Sequence, residues 1–273
     1  MSGSPSALFD LGDHRARPTE YCRGPWHPDA CHGGPVAALA AREIARADDA
    51  GAWQIARLTL ELLKPVPVAG VLHLRTETER PGRKVSLLGV GVTSDGVEVA
   101  RLRALRIRLG HVDLPPGANA VPDDAPPPAS TAEPVSATWA PTDELAYHSH
   151  GCEHRFVKGS WDRPGPAEAW IRLAVPVVEG EEPSGVERVM AAADFGNGIS
   201  FGINPAQWTF INPDLTVHLL RPPQGEWVGM RTASWYAGEG AGLAESELFD
   251  GAGRVGRSCQ SLLVEARPGS GAT

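Results

Sequence analysis

Apolar and polar residues alternate with a two-residue period along many stretches of this chain, the pattern of half-buried β-strands. The clearest run is "VEVARLRALRIRL" near residues 97–109. Strands are predicted at 55–63, 71–78, 85–92 and 97–108, and again at 215–220, 228–236, 243–249 and 255–265. Segments 154–157 and 169–175 add two more. Two stretches carry a different pattern. "GGPVAALAAREIARA" (33–47) spaces Val36, Leu39 and Ile44 among alanines and reads as a helix. "GVERVMAAADFG" (185–196) is a second small-residue helix. Alanine-rich helices can lie close against a sheet. The pattern therefore predicts an α+β unit made twice, each a helix on a curled antiparallel sheet.

The two halves repeat each other. "LTLELLKP" (58–65) aligns without gaps to "LTVHLLRP" (215–222) at an offset of 157, with five of eight positions identical. Each half carries an Asp-Gly hairpin signal, at 95–96 and at 250–251. Between them lies "GHVDLPPGANAVPDDAPPPASTAEP", rich in proline and small residues. The expected organisation is a repeat at 1–110, a linker at 111–138 and a second repeat at 139–273. In the strand at 97–108, Ala100, Leu102 and Ala104 alternate in one parity, whereas Leu105, Ile107 and Leu109 take the other. This predicts a bulge there, and an equivalent one near Gln260.

Composition narrows the class. At 42% hydrophobic the chain can bury a core, and no apolar run approaches the roughly 18 residues of a membrane span. No signal-peptide pattern opens the sequence, and both Gly/Ser-rich ends are expected to fray. Cys22, Cys31, Cys152 and Cys259 are scattered and read as free thiols, consistent with a cytoplasmic protein. A net charge of −8 argues against a nucleic-acid partner. The phosphate-binding patterns GxxxxGK[ST] and GxGxxG before a helix are absent, as is the GxSxG nucleophile turn.

A few polar residues stand out. Asp194 ends an alanine run and precedes Gly196-Asn197-Gly198, where the glycines are expected to end the helix and expose backbone. It is either a local cap or a general base. The first half has alanine at the matching place, Ala37 or Ala41, which favours a single asymmetric site. Gln260 shows the same asymmetry against Ala104. Asn212, in "TFINPDL", precedes a strand, where Asn-Pro is ordinarily turn chemistry. Cys259 lies beside Gln260 and should face the other way. His148, His150, Cys152 and His154 are metal-capable types at close spacing, but no second cluster supports a site. His32, Gly33 and Gly34 open the first helix, where free N–H groups can hold an oxyanion, or where a tight turn permits close packing.

Several stretches, in order, resemble one family: "EHRFVKGSW", "AWIRL", "VMAAADFGNG", "LTVHLLRPP" and "ESELFDGAGRVGRSCQSLL". They resemble the acyl-CoA thioesterase II family and its actinobacterial relatives, over residues 20–110 and 140–267. "CHGG" resembles the helix opening of related single-domain thioesterases. The resemblance implies a double hotdog fold and a catalytic set of Asp194, Gln260 and Asn212, the last standing where the family has threonine. It implies hydrolysis of an acyl-CoA or acyl-carrier thioester by a water held by these three, with no cofactor and no metal. Arg103 and Arg106 are candidates for the nucleotide phosphates, and homo-oligomerisation is plausible for this fold. Two other readings stand beside it: a non-catalytic acyl-CoA or lipid binder, and a hotdog hydratase or dehydratase. The second relies on an Asp–His pair, and the helix after Asp194 offers Ile199 where a histidine would stand.

Overall fold

The computed structural model describes residues 5–13, 15–47, 52–118, 120–135 and 144–269. The first half contains β1 (Phe9–Gly12), β2 (Arg15–Pro18), α1 (Gly33–Ala45), β3 (Trp53–Leu62), β4 (Leu72–Arg80), β5 (Val85–Ser94) and β6 (Val97–Arg108). The second contains β7 (Cys152–Ser160), β8 (Arg163–Leu173), α2 (Gly185–Ala193), α3 (Gly196–Ile199) and β9 (Trp208–Ile211). It continues with β10 (Asp214–Leu219), β11 (Val228–Tyr236), β12 (Ala241–Asp250) and β13 (Gly253–Ala266). The strands form one antiparallel sheet, curled around the helices.

The sheet order makes the duplication visible. Reading outward from the seam between β3 and β10, one side runs β6, β5, β4, β2, β1 and the other β13, β12, β11, β8, β7. At the seam Thr59 pairs with Thr216, their hydroxyls 3.3 Å apart. These residues are separated by 157, the repeat offset itself, so an approximate two-fold axis passes between them. The register also supports the equivalence of Ala104 and Gln260. Thr59 faces Arg103 on β6, and Thr216 faces Cys259 on β13, so the next residue in each strand occupies the same place. Strand β9 pairs with β13 off this path.

Both helices are buried against the sheet and each other. Val36 to Ala41 of α1 and Val189 to Ala193 of α2 are almost wholly covered. The helices approach closely where α1 begins. A Cβ on Gly34 would lie 2.7 Å from the Ala191 carbonyl oxygen. Arg42 of α1 grips Glu181 through two 2.6 Å contacts. Ser184 and Glu187 close a reciprocal N-terminal cap on α2.

Four features differ from the sequence expectation. α2 does end at Ala193, but the Gly196-Asn197-Gly198 stretch is not a loop of exposed backbone: Asp194 and Phe195 keep helical dihedrals and the short α3 begins at Gly196. Gly196 is buried, and its missing side chain admits the Gln260 amide oxygen, 2.6 Å from where a Cβ would stand. The expected bulge is not in β6 at Ala104. It lies opposite, in β3, where Ala56 is skipped between Ile55 and Arg57. Arg106 continues the inward parity of Ala104, its guanidinium 5.0 Å over the Trp53 ring. Gln260 likewise pairs regularly with Ala244, and the β13 irregularity falls at Val255. Finally, the chain just inside the N-terminus is ordered, with Leu8 and Phe9 fully covered.

The outermost residues expected to fray, 1–4 and 270–273, lie outside the described residues, as do 119 and 136–138 of the proline-rich stretch. Its described part runs along the second half. Asp124 pairs with Arg254 of β13 at 2.6 Å, and Trp170 of β8 donates to the Pro127 carbonyl at 2.7 Å. Among the described residues no helix is long and apolar enough to cross a membrane.

Candidate active site

Asp194 sits at the C-terminal end of α2 with its side chain 2% exposed. A buried carboxylate is costly unless it is paired and hydrogen-bonded. Here donors come from three directions. Asn212, in the turn between β9 and β10, donates from Nδ2 to Oδ1 at 2.8 Å. Gln260 of β13 donates from Nε2 to Oδ1 at 3.3 Å and to the Asp194 carbonyl at 3.2 Å. His32, at the position just before α1 in the first repeat, places Nδ1 2.7 Å from Oδ2.

Asn197 ties the amides in place. Its backbone N–H donates to Gln260 Oε1 at 3.0 Å, and its side chain donates to Asn212 Oδ1 at 3.4 Å and to the Phe210 carbonyl at 2.9 Å. The second Asn212 N–H reaches the Asp214 carbonyl at 3.1 Å. The three residues singled out from sequence thus meet at one carboxylate. Asn212 supplies a donor to it.

The His32 contacts decide its tautomer. Nδ1 also lies 3.2 Å from the Gly34 nitrogen. One nitrogen cannot donate to the carboxylate and accept from an N–H. The shorter, charge-assisted contact assigns the proton to Nδ1, and the Gly34 N–H is left to the carboxylate. Burial by itself would raise the Asp194 carboxyl. The contact with His32, with the hydrogen bonds of Asn212 and Gly34, outweighs burial and holds it below the ordinary aspartate value.

This carboxylate borders a cavity of about 670 Å³. Asp194, Asn212, His32, Gly33 and His148 line its polar end; Trp26, Phe201 and Phe210 belong to its apolar wall. Gln260 does not line it and fixes the carboxylate from behind. Lys64 is the lysine on the wall. Arg103 and Arg106 do not line the cavity: the first pairs with Glu79 and the second is buried beside Trp53. Neither Arg103 nor Arg106 is therefore placed to meet a ligand there.

His32 opens α1, as the sequence suggests, and it also touches Asp194, a contact the sequence does not reveal. The Asp–His pairing was sought five residues after Asp194, where Ile199 is buried; the imidazole comes instead from the other repeat. Of the histidines near 148–154, His148 and His154 are buried, His154 edge-on to Phe195 and Trp161, and His150 bonds to Ser149. Among the described residues no group of three or more side chains is arranged to hold a metal ion.

The close approach at Gly33 gives a direct test of the geometry. A Cβ there would stand 2.7 Å from Asp194 Oδ2 and 3.0 Å from its carboxyl carbon. Gly33→Ala must push the carboxylate away from His32. A displacement of about 1 Å in a reacting group costs about 10²-fold in rate. The variant is expected to fold with an unchanged circular dichroism spectrum and to lose about that much kcat; an unchanged kcat contradicts the arrangement.

Comparisons with known proteins give the family and the fold. The family model of the acyl-CoA thioesterase N-terminal domain matches residues 22–107, and that of the C-terminal domain matches 120–264. The chain belongs to the acyl-CoA thioesterase family, and its fold is the double hotdog. Among solved structures it is similar to a hotdog-fold protein of unknown function from Alicyclobacillus acidocaldarius, at 16% identity and a TM-score of 0.69 over 95% of this chain and 96% of that one. It is similar also to acyl-CoA thioesterase II TesB2 from Mycobacterium marinum, at 17% identity and a TM-score of 0.63 over 95% and 96%. The tesB protein of Mycobacterium avium subspecies paratuberculosis matches at 16% identity and a TM-score of 0.61 over the same shares. No curated protein matches the sequence.

Proposed function

We propose that this chain hydrolyses an acyl-CoA thioester to free acid and CoA at the Asp194 end of the cavity. The observation that carries the reading is the convergence of Asp194, Asn212 and Gln260, from three separate elements, beside a mostly apolar cavity. The apolar wall of Trp26, Phe201 and Phe210 suits an acyl group. Asp194, Asn212 and Gln260 act as a unit beside the attacking water. Asp194 and Asn212 face the cavity, and Gln260 locks the carboxylate. Gly33, whose N–H heads α1, also lines the cavity. The positive end of that helix suits the oxyanion formed when water attacks the carbonyl carbon. Collapse then expels the CoA thiolate, and no covalent acyl-enzyme is needed.

One observation favours a second reading. The contact between His32 and Asp194 is the Asp–His pairing of hotdog hydratases and dehydratases, assembled across the repeats. The two readings differ in product. Incubating the protein with saturated acyl-CoAs of increasing chain length, and following free thiol, is expected to give CoA release. Absence of thiol release across the series overturns the hydrolase reading; addition or loss of water on an enoyl-CoA, with the thioester intact, establishes the second.

A further inference from the structure

The hydrogen bonds around Asp194 raise a question about the proton. An ionised carboxylate has about four lone-pair sites. His32 takes one on Oδ2, Asn212 and Gln260 take Oδ1, and the Gly34 N–H adds a fourth donor. A carboxylate so fully donated to has little capacity left to remove a proton from water. The imidazole is in the opposite condition. Its Nδ1 is committed to Asp194, which in the neutral ring leaves the lone pair on Nε2, the nitrogen the carboxylate does not engage. The side chain lines the cavity. Tyr147 and Phe195, stacked on each other, pack together against the ring, with centroids at 5.0 and 4.9 Å.

We infer that His32 is the general base of the reaction and that Asp194 is the residue that orients it. The inference rests on the hydrolase reading above and changes who moves the proton. Nε2 accepts a proton as the water oxygen bonds to the carbonyl carbon, and the carbonyl electrons pass to its oxygen. The tetrahedral intermediate collapses, the carbon–sulfur bond breaks, and the Nε2 proton goes to the departing thiolate. Thioester and water become acid and thiol, with His32 returned to its starting state. Asp194 remains ionised throughout and stabilises the imidazolium. The site thereby needs both repeats: the base comes from the first, its orienting acid from the second.

The groups facing His32 from neighbouring elements are few. They are Asp194 at the end of α2, Tyr147 and His148 in the turn before β7, and His154 on β7. Burial raises the Tyr147 hydroxyl and pushes both other imidazoles down to about 3, so these three stay uncharged at neutral pH. Asp194 is the one charge beside the ring among them.

The test uses two substitutions that separate the roles. In His32→Asn the side-chain amide can still donate to Asp194 from the position of Nδ1, but nothing replaces Nε2. In His32→Ala both are lost. If His32 is the base, both variants lose about 10³-fold in kcat, with binding of a non-hydrolysable thioether analogue of acyl-CoA kept within about threefold. The acid limb of the wild-type pH–rate profile should vanish from their residual activity, and added imidazole should restore part of the His32→Ala rate. If His32 serves only to position Asp194, His32→Asn keeps most of its activity and the acid limb persists; that result overturns the inference. Failure of the hydrolase reading is separate, because it would show as absent thiol release in the wild type.

Discussion

Asp194→Asn is expected to leave a folded protein whose kcat for acyl-CoA hydrolysis falls by about 10³–10⁴-fold, as changing the acid of an acid–imidazole pair does elsewhere. The substitution preserves shape, so the loss must come from the pattern of donors. Asn212 and Gln260 donate into one oxygen of Asp194, and His32 donates into the other. An asparagine has one acceptor and one donor group, and it can satisfy only one side. With its NH₂ toward Asn212 and Gln260, donors face donors in a site almost closed to water. With its NH₂ toward His32, the imidazole must switch tautomer, which puts a hydrogen on Nε2 and removes the base. Steady-state thiol release at saturating substrate measures the effect, with circular dichroism and a urea midpoint confirming the fold. A variant that keeps a tenth of wild-type kcat overturns both the site and its mechanism.

The second large effect is on stability against pH. Burial, reinforced by neighbouring imidazoles, pushes His148 and His154 down to about 3. In the unfolded chain a histidine titrates near 6.5. As pH falls below that value, the unfolded chain takes up protons that the native chain does not, so stability is complete above about 6.5 and is lost toward 3. Between pH 7 and pH 5 the loss is about 2 kcal/mol from each histidine. Asp194, held low, keeps its contribution until the pH drops below the ordinary aspartate value, outside this window. The urea midpoint should therefore fall steadily from pH 7 to pH 5. His154→Phe should remove about half of that slope, since His154 packs edge-on to Phe195 at 4.6 Å and its Nε2 has no hydrogen-bond partner among the described residues. A midpoint that stays flat over this range contradicts the burial of neutral imidazoles.

Much of this architecture was legible in the residue pattern, and the exceptions have physical causes. Period-two alternation located the long strands because each buries one face, as Leu58, Leu60, Leu102 and Ala104 do. The shared motif at the seam made Gln260 the counterpart of Ala104. Strands β1, β2 and β9 escaped because each is four residues long; β1 and β2 form a short hairpin with each other, and β9 exists by pairing with the distant β13. The misplaced bulge came from counting Arg106 as an outward residue. Its guanidinium is buried over an indole, so the alternation continues where hydrophobicity alone suggested a change of face. The contact between His32 and Asp194 was hidden for a different reason. Neither periodicity nor the repeat says how two alanine-rich helices will meet. Only their close packing, with Gly34 against Ala191, brings the start of one to the end of the other.

The seam between β3 and β10 has a consequence for the order of the reaction that builds the site. His32 and Asp194 stand on different repeats, yet both belong to one covalent chain whose two halves hydrogen-bond across Thr59 and Thr216. Bringing them together is a unimolecular event with a fixed effective concentration. Specific activity should therefore be independent of dilution, whereas the same halves supplied as separate polypeptides would obey second-order kinetics and lose the site as they are diluted.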